Sequence, residues 1–263
     1  MDVTLLEDWV TSVTIWELFW TALLGLTSGL MIGCIGIGGV ILVPALVFIA
    51  GIPIQTSIPA VMIAYILPAI VATAVFAHNK SIRWGMAAWL CAGAAPTSFI
   101  GAWAVSIVNP RVLEACLGLL TLFSGFNSLR TQSADRPEHA LSNVRLLIVG
   151  AVTGFLSSIS GTGGPLVLVP LIISMSVPVL VAVGLSQVIQ VPIAIVNTIG
   201  NVIYGQIDLK LGGVLAVSLT LGSWYGARLA HVVPRTTLRW IVSVVLVVVG
   251  ALILGNVIWR LWR

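Results

Sequence analysis

The sequence predicts an all-α polytopic membrane protein, built as two homologous four-segment units that each contain a helix broken at a glycine-rich turn. Three observations carry this prediction. The 263-residue chain is 59% hydrophobic and only 8% charged, where a soluble domain carries roughly 25% charge, and its mean hydropathy is +1.14. Apolar runs recur at 15–35, 54–77, 85–108, 111–129, 144–159, 179–204, 211–233 and 236–259, each near the ~20 residues that cross a hydrocarbon core about 30 Å thick. The stretch Gly36-Ile37-Gly38-Gly39-Val40-Ile41-Leu42-Val43-Pro44 is written again as Gly161-Thr162-Gly163-Gly164-Pro165-Leu166-Val167-Leu168-Val169-Pro170, about 125 residues later, which marks an internal duplication.

The first unit covers residues 1–130. A polar loop follows at 131–143, and the second unit covers 144–263. The repeat extends past the glycines: Gly51-Ile52-Pro53 matches Ser176-Val177-Pro178, Ser81-Ile82-Arg83-Trp84 matches Gln206-Ile207-Asp208-Leu209, Gly101-Ala102 matches Gly226-Ala227, and Pro110-Arg111 matches Pro234-Arg235. Each unit reads as one broken helix and then three longer ones. The third helix is rich in small residues, with Gly93, Thr97 and Gly101 spaced by four, as are Gly222 and Gly226. That spacing lets helix backbones approach closely in lipid.

If each broken segment crosses the membrane, the copies are parallel; if it dips in and returns, they are inverted. Lys/Arg counting does not separate the two. Both topologies place Lys80, Arg83, Arg130, Arg136 and Arg145 on the cytoplasmic side, where positive residues collect; inversion adds Arg228, Arg235 and Arg239, and the parallel arrangement adds Lys210, Arg260 and Arg263. Inversion is the expectation, because alternating access is readily built from it.

Composition also excludes. The net charge of +4 is scattered at segment ends, where positive residues set orientation; it is no nucleic-acid signal. Asp2, Glu7, Asp8 and Glu17 leave no basic region of a cleaved signal peptide. Cys34, Cys91 and Cys116 lack metal-like spacing and read as small buried hydrophobes. There are no paired carboxylates, and Gly161-Thr162-Gly163-Gly164 lacks the Lys of a phosphate-binding loop. No enzyme, metal or cofactor is expected. The expected partners are a small anionic substrate and the lipid bilayer, with a homo-oligomer left open.

The candidate site begins at the breaks. Gly36, Gly38, Gly39, Gly161, Gly163 and Gly164 remove side chains and permit positive φ. An interrupted chain exposes backbone N–H groups at the start of the next half-helix, a place suited to an anion. Pro165 directly after Gly164 suits a first helical turn, and Ser160 and Thr162 add hydroxyls. Ser186, Gln190, Asn197, Asn201 and Tyr204 fall on one helical face, with Gln187 beside them. This polar line reads as a pathway lining or as interhelical hydrogen bonding. The matching helix of the first unit offers Tyr65, Thr73 and His78. The apolar segments are read as lacking interior Asp, Glu or Lys, which argues against a carboxylate proton relay. Arg228 stands inside an apolar run, where it pairs with an anion or snorkels to the interface.

At these residues the chain resembles the sulfite exporter TauE/SafE family, also called the toluenesulfonate uptake permease family. The likeness rests on the duplicated Gly-x-Gly-Gly…Pro breaks, on Gly51-Ile52-Pro53, on His78…Ser81-Ile82-Arg83-Trp84 and on Gly205-Gln206-Ile207-Asp208, and it covers nearly the whole chain. Lys80-Ser81 departs from the Gly-Asn that family members usually place there. The resemblance implies a multi-pass inner-membrane protein that exports a small sulfur-containing anion, such as sulfite, sulfoacetate or a related organosulfonate. Two other readings stay open: an uptake permease for another small anion, and a non-transporting membrane scaffold subunit.

Overall fold

The computed structural model describes residues 15–35, 39–130, 141–205, 207–229 and 247–255, together with Val232, Trp240 and Val244. Gly36 and Gly38 lie outside the described residues, as does most of the central polar loop. The described residues form helices and no strand. In chain order these are α1 (Ile15–Ile35), α2 (Gly39–Pro44, continued by a π turn Ala45–Ile49), α3 (Ile54–Ala64), α4 (Ile66–His78), α5 (Trp84–Ile107), α6 (Pro110–Arg130), α7 (Asn143–Ser160), α8 (Pro165–Ser174), α9 (Val179–Tyr204) and α10 (Leu209–Leu229). Residues 247–255 are also helical. α3 and α4 join at Tyr65 into one rod, Ile54–His78, which with α5, α7 and α9 makes, among the described residues, four helices long and apolar enough to cross a membrane. They leave Leu67, Ile70, Ile100, Trp103, Ile148 and Val202 exposed, large apolar side chains on every one of the four, as lipid-facing helices require.

Glycines determine which helices touch. A Cβ on Gly93 or Gly101 of α5 would meet the α7 backbone at Leu147 and Phe155, and one on Gly150 or Gly154 of α7 would meet α5 at Leu90 and Ala94. On the other side, Gly29 and Gly33 of α1 abut Leu219, Ser223 and Ala227 of α10, and Gly222 and Gly226 abut Leu26 and Leu30. Without side chains at these points, backbone meets backbone and dispersion contacts multiply, which is what holds helices together in a solvent as apolar as their own surfaces. α1, from the N-terminal half, therefore packs along α10 of the C-terminal half, and α7 packs along α5. The halves are interleaved rather than separate bodies.

The same contacts fix directions. In α5 and α7, residues 93 and 101 match 147–151 and 155–158 in rising order, so the two run parallel; α1 and α10 are parallel by the same test. α9 is parallel to α5, because Gly184 faces Ser81 and Ile82 while Gly200 faces Phe99 and Ala102. α10 is parallel to the α3–α4 rod, because Gly212 faces Ala60 and Ile63 while the Ser223 hydroxyl lies 3.5 Å from the Pro68 carbonyl. α6 and residues 247–255 run antiparallel: Gly118 meets Ile253 and Gly250 meets Leu122. α7 and α9 thus point the same way, and the chain between them, α8 included, must turn back toward the end where α7 began. α1 and the α3–α4 rod also share a direction, so α2 and its π turn double back in the same manner.

Candidate functional site

The turn from α7 to α8 is made by residues 161–164. Gly161 closes α7 in the left-handed region (φ 70°, ψ 19°) with its N–H on the Ser157 carbonyl. Gly163 (φ 77°) and Gly164 (φ 116°) continue the positive-φ run, backbone that residues with a Cβ adopt only with strain. Pro165 then starts α8 at its first turn, where its missing N–H leaves nothing unsatisfied. The Thr162 N–H returns to the Ser157 carbonyl at 3.2 Å, and the Gly164 carbonyl accepts from Val167 and Leu168. No hydrogen bond joins the N–H of Gly163 or Gly164 to another described residue. The Ser160 and Thr162 hydroxyls are 2.9 Å apart, and every residue from Ser157 to Pro170 is buried.

Four other predicted residues converge on this turn or on its neighbours. A Cβ on Gly163 would lie 2.9 Å from the Gln190 Nε2 and 2.9 Å from the Tyr65 ring. Tyr65 is fully buried, and its hydroxyl donates to the Gly39 carbonyl at 3.2 Å. A Cβ on Gly39 would lie 2.9 Å from the Thr162 carbonyl. Gly39, Tyr65, Thr162, Gly163 and Gln190 therefore form one contiguous group. Tyr65 and Gln190 stand near the middles of the rods Ile54–His78 and Val179–Tyr204, which places the group near mid-depth. Gln187 sits one turn away, its Nε2 on the Ile32 carbonyl near the end of α1 at 3.0 Å.

The remaining α9 residues differ in what they meet. Ser186, Asn197 and Asn201 are buried. The Ser186 hydroxyl donates to Val183 within its own helix, and the Asn201 Nδ2 donates to the Asn197 Oδ1. Tyr204, at the end of the same line, is 46% exposed. Arg228 is exposed, and its guanidinium stacks 3.8 Å from the Trp224 ring centroid.

Two features escaped the sequence reading. Thr153, Ser157 and Ser158 of α7 are fully buried with hydroxyls that find no partner, alongside the Gln187 Oε1, the Gln190 Oε1 and the Asn197 Nδ2. The signal was present, since Gly150, Thr153, Gly154, Ser157 and Ser158 repeat at helical spacing just before the break. Each unpartnered atom costs about 1–3 kcal/mol when dry, so their concentration beside the break marks a place for a polar guest or water. The second is Glu114, in α6, only 8% exposed. It corrects the expectation that the apolar segments hold no interior acid.

A bundle of lipid-facing helices around a buried polar line, with the chain turned back on itself at mid-depth, is the architecture of a membrane transporter. The chain belongs to the sulfite exporter TauE/SafE family: residues 21–253 match that family's model, described as "Sulfite exporter TauE/SafE". It is 26% identical over 236 residues to the "Probable membrane transporter protein YdhB" of Bacillus subtilis, covering 86% of this chain and 96% of that one. It is 23% identical over 250 residues to the "Probable membrane transporter protein MJ0441" of Methanocaldococcus jannaschii, covering 88% of this chain and 93% of the relative. No solved structure matches it.

Proposed function

We propose that this transporter carries a small sulfur-containing anion, such as sulfite, sulfoacetate or a related organosulfonate, out of the cell across the inner membrane, as a secondary transporter or facilitator. The observation that carries this reading is the turn at Gly163-Gly164: two amide N–H groups without described partners, at the start of α8, beside the Gln190 amide and near mid-depth. Such a group donates hydrogen bonds without importing a full positive charge into lipid, where an unpaired Arg is costly. A sulfonate spreads its charge over three acceptor oxygens and suits several weak donors. A negative cell interior drives an anion outward by about 2.3 kcal/mol per charge per 100 mV, which supports export without a coupling cation.

The two halves are read as an inverted repeat, 1–130 and 144–263 about the loop 131–143. In support, the matched helices run opposite ways: α3–α4 against α9, α5 against α10, and α6 against 247–255. The matched positions Tyr65 and Gln190 also meet at one glycine, as two sites do near a shared two-fold axis.

A thermal-shift screen of the detergent-purified protein tests the substrate class, since a ligand stabilises the state that binds it. Saturable stabilisation by sulfite or a small sulfonate, but not by the matching cations, is expected. Stabilisation by carboxylates alone supports the other anion permease, and response to no anion refutes the reading.

A further inference from the structure

We infer that the described conformation is open toward the extracytoplasmic face and shut toward the cytoplasm, with the cavity beside Asn201 as the outer mouth of the pathway and the packing of Gly184 on Ser81 and Ile82 as the closed inner gate. This rests on the transporter reading above and adds which end is open and which residue lets the other close. The cavity has a volume of about 420 Å³ and lies where α5 and α9 end and α3 begins; Gln55, Thr56, Ser106, Asn201 and Tyr204 are its polar walls. From Asn201 the polar line continues inward by the hydrogen bond to Asn197, whose Nδ2 is buried and unpartnered.

The other end of α9 is packed tight. A Cβ at Gly184 would come 2.8 Å from the Ser81 carbonyl and 3.4 Å from Ile82 and Phe76, and Phe76, Ser81 and Ile82 are all buried. The absence of a side chain at residue 184 is what lets the turn 79–83 seat against α9. Helix directions then assign the faces. α4 and α10 end, and α5 and α7 begin, at the Gly184 end; Lys80, Arg83, Arg145 and Arg228 lie there, and α6 brings Arg130 to the same side. The Asn201 end carries Arg111 and Lys210, with Asp208 beside Lys210. Basic residues collect on the cytoplasmic side, so the packed end is cytoplasmic. α9 crosses the glycine group near its middle at Gln190, so a tilt that frees Gly184 from Ser81 moves the Asn201 end against α3 and closes the cavity.

The test is thiol labelling with a membrane-impermeant maleimide in right-side-out and inside-out membrane vesicles, after Cys34, Cys91 and Cys116 are replaced by Ala. Thr56→Cys should react from the outside, and Ser81→Cys only slowly from the inside. Adding Gly184→Val should raise Ser81→Cys labelling from the inside about tenfold and lower that of Thr56→Cys, as a shift between two states requires; Gly184→Ala should move both the same way by less. Thr56→Cys reacting only from the inside, or Ser81→Cys unchanged by both Gly184 variants, overturns the inference. The assay contains no anion. Loss of anion stabilisation with this labelling pattern intact sinks the substrate reading alone, and the converse sinks the gate alone.

Discussion

Four glycines separate backbone strain from crowding and so test whether the turn at Gly163 is a place of enforced close approach. Gly163 has both features: φ is 77°, and a Cβ would sit 2.9 Å from the Gln190 amide nitrogen and the Tyr65 ring. Gly51 has φ 69° with nothing within 4 Å of its Cβ position. Gly39 has ordinary φ, but its Cβ would press on the Tyr65 hydroxyl and lie 2.9 Å from the Thr162 carbonyl. Gly85, in α5, has neither constraint. Left-handed backbone costs an L residue about 1–2 kcal/mol, and one added carbon in a packed interior costs about 1–3 kcal/mol. Gly51→Ala should therefore lose ~1–2 kcal/mol, Gly39→Ala ~1–3 kcal/mol and Gly163→Ala the sum, about 2–5 kcal/mol. Gly85→Ala should gain up to ~1 kcal/mol from helix propensity. The assay is reversible unfolding in mixed micelles followed by tryptophan fluorescence. If Gly163→Ala is no worse than Gly51→Ala, then Tyr65 and Gln190 yield without cost, and the argument for a tightly enclosed backbone donor site fails.

Other outcomes follow from single contacts. Gly154→Leu and Gly222→Leu should abolish monodisperse protein in size-exclusion chromatography, because each glycine faces backbone of the partner helix, whereas Gly213→Leu, with open space around it, should behave as wild type. Gln187→Leu loses the bond to the Ile32 carbonyl but also removes an unpartnered Oε1; the two should offset to within ~1 kcal/mol in the same unfolding assay. Arg228→Gln should lose only the ~0.5–1 kcal/mol of its stacking on Trp224.

Helix positions were legible because lipid leaves the backbone few choices: an apolar run of spanning length must satisfy its own N–H and C=O groups. The bounds of α5, α6 and α9 fall within about two residues of the apolar runs, inside the ordinary uncertainty of helix ends. The buried face of α9 was legible too, since amides at helical spacing have nowhere else to go in lipid; only Tyr204 at its end faces outward. Partnering was not legible. Nothing local tells Gly29 that it will meet Leu219, or Gly150 that it will meet Leu90. Small residues at a spacing of four mark a contact surface but not its mate, and charge counting left the helix directions undecided. The candidate site was legible as glycines and amides but not as a group. Tyr65 reaches Gly39 and Gly163 only because two rods cross at mid-depth, and the Ser157-Ser158 hydroxyls are ambiguous in sequence because Ser in a helix so often bonds its own turn.

The central claim, that a small anion is held by backbone donors at the glycine turns rather than by an arginine, is tested most directly by anion-dependent thermal stabilisation of wild type, Gly163→Val and Arg228→Gln, with Gly163→Ala as the milder variant. At a hundredfold excess over Kd, a ligand that binds only the folded state adds about 2.7 kcal/mol. The account predicts that wild type and Arg228→Gln show this stabilisation, that Gly163→Ala shows it weakly, and that Gly163→Val lacks it. Stabilisation retained by Gly163→Val and lost in a well-folded Arg228→Gln would contradict it.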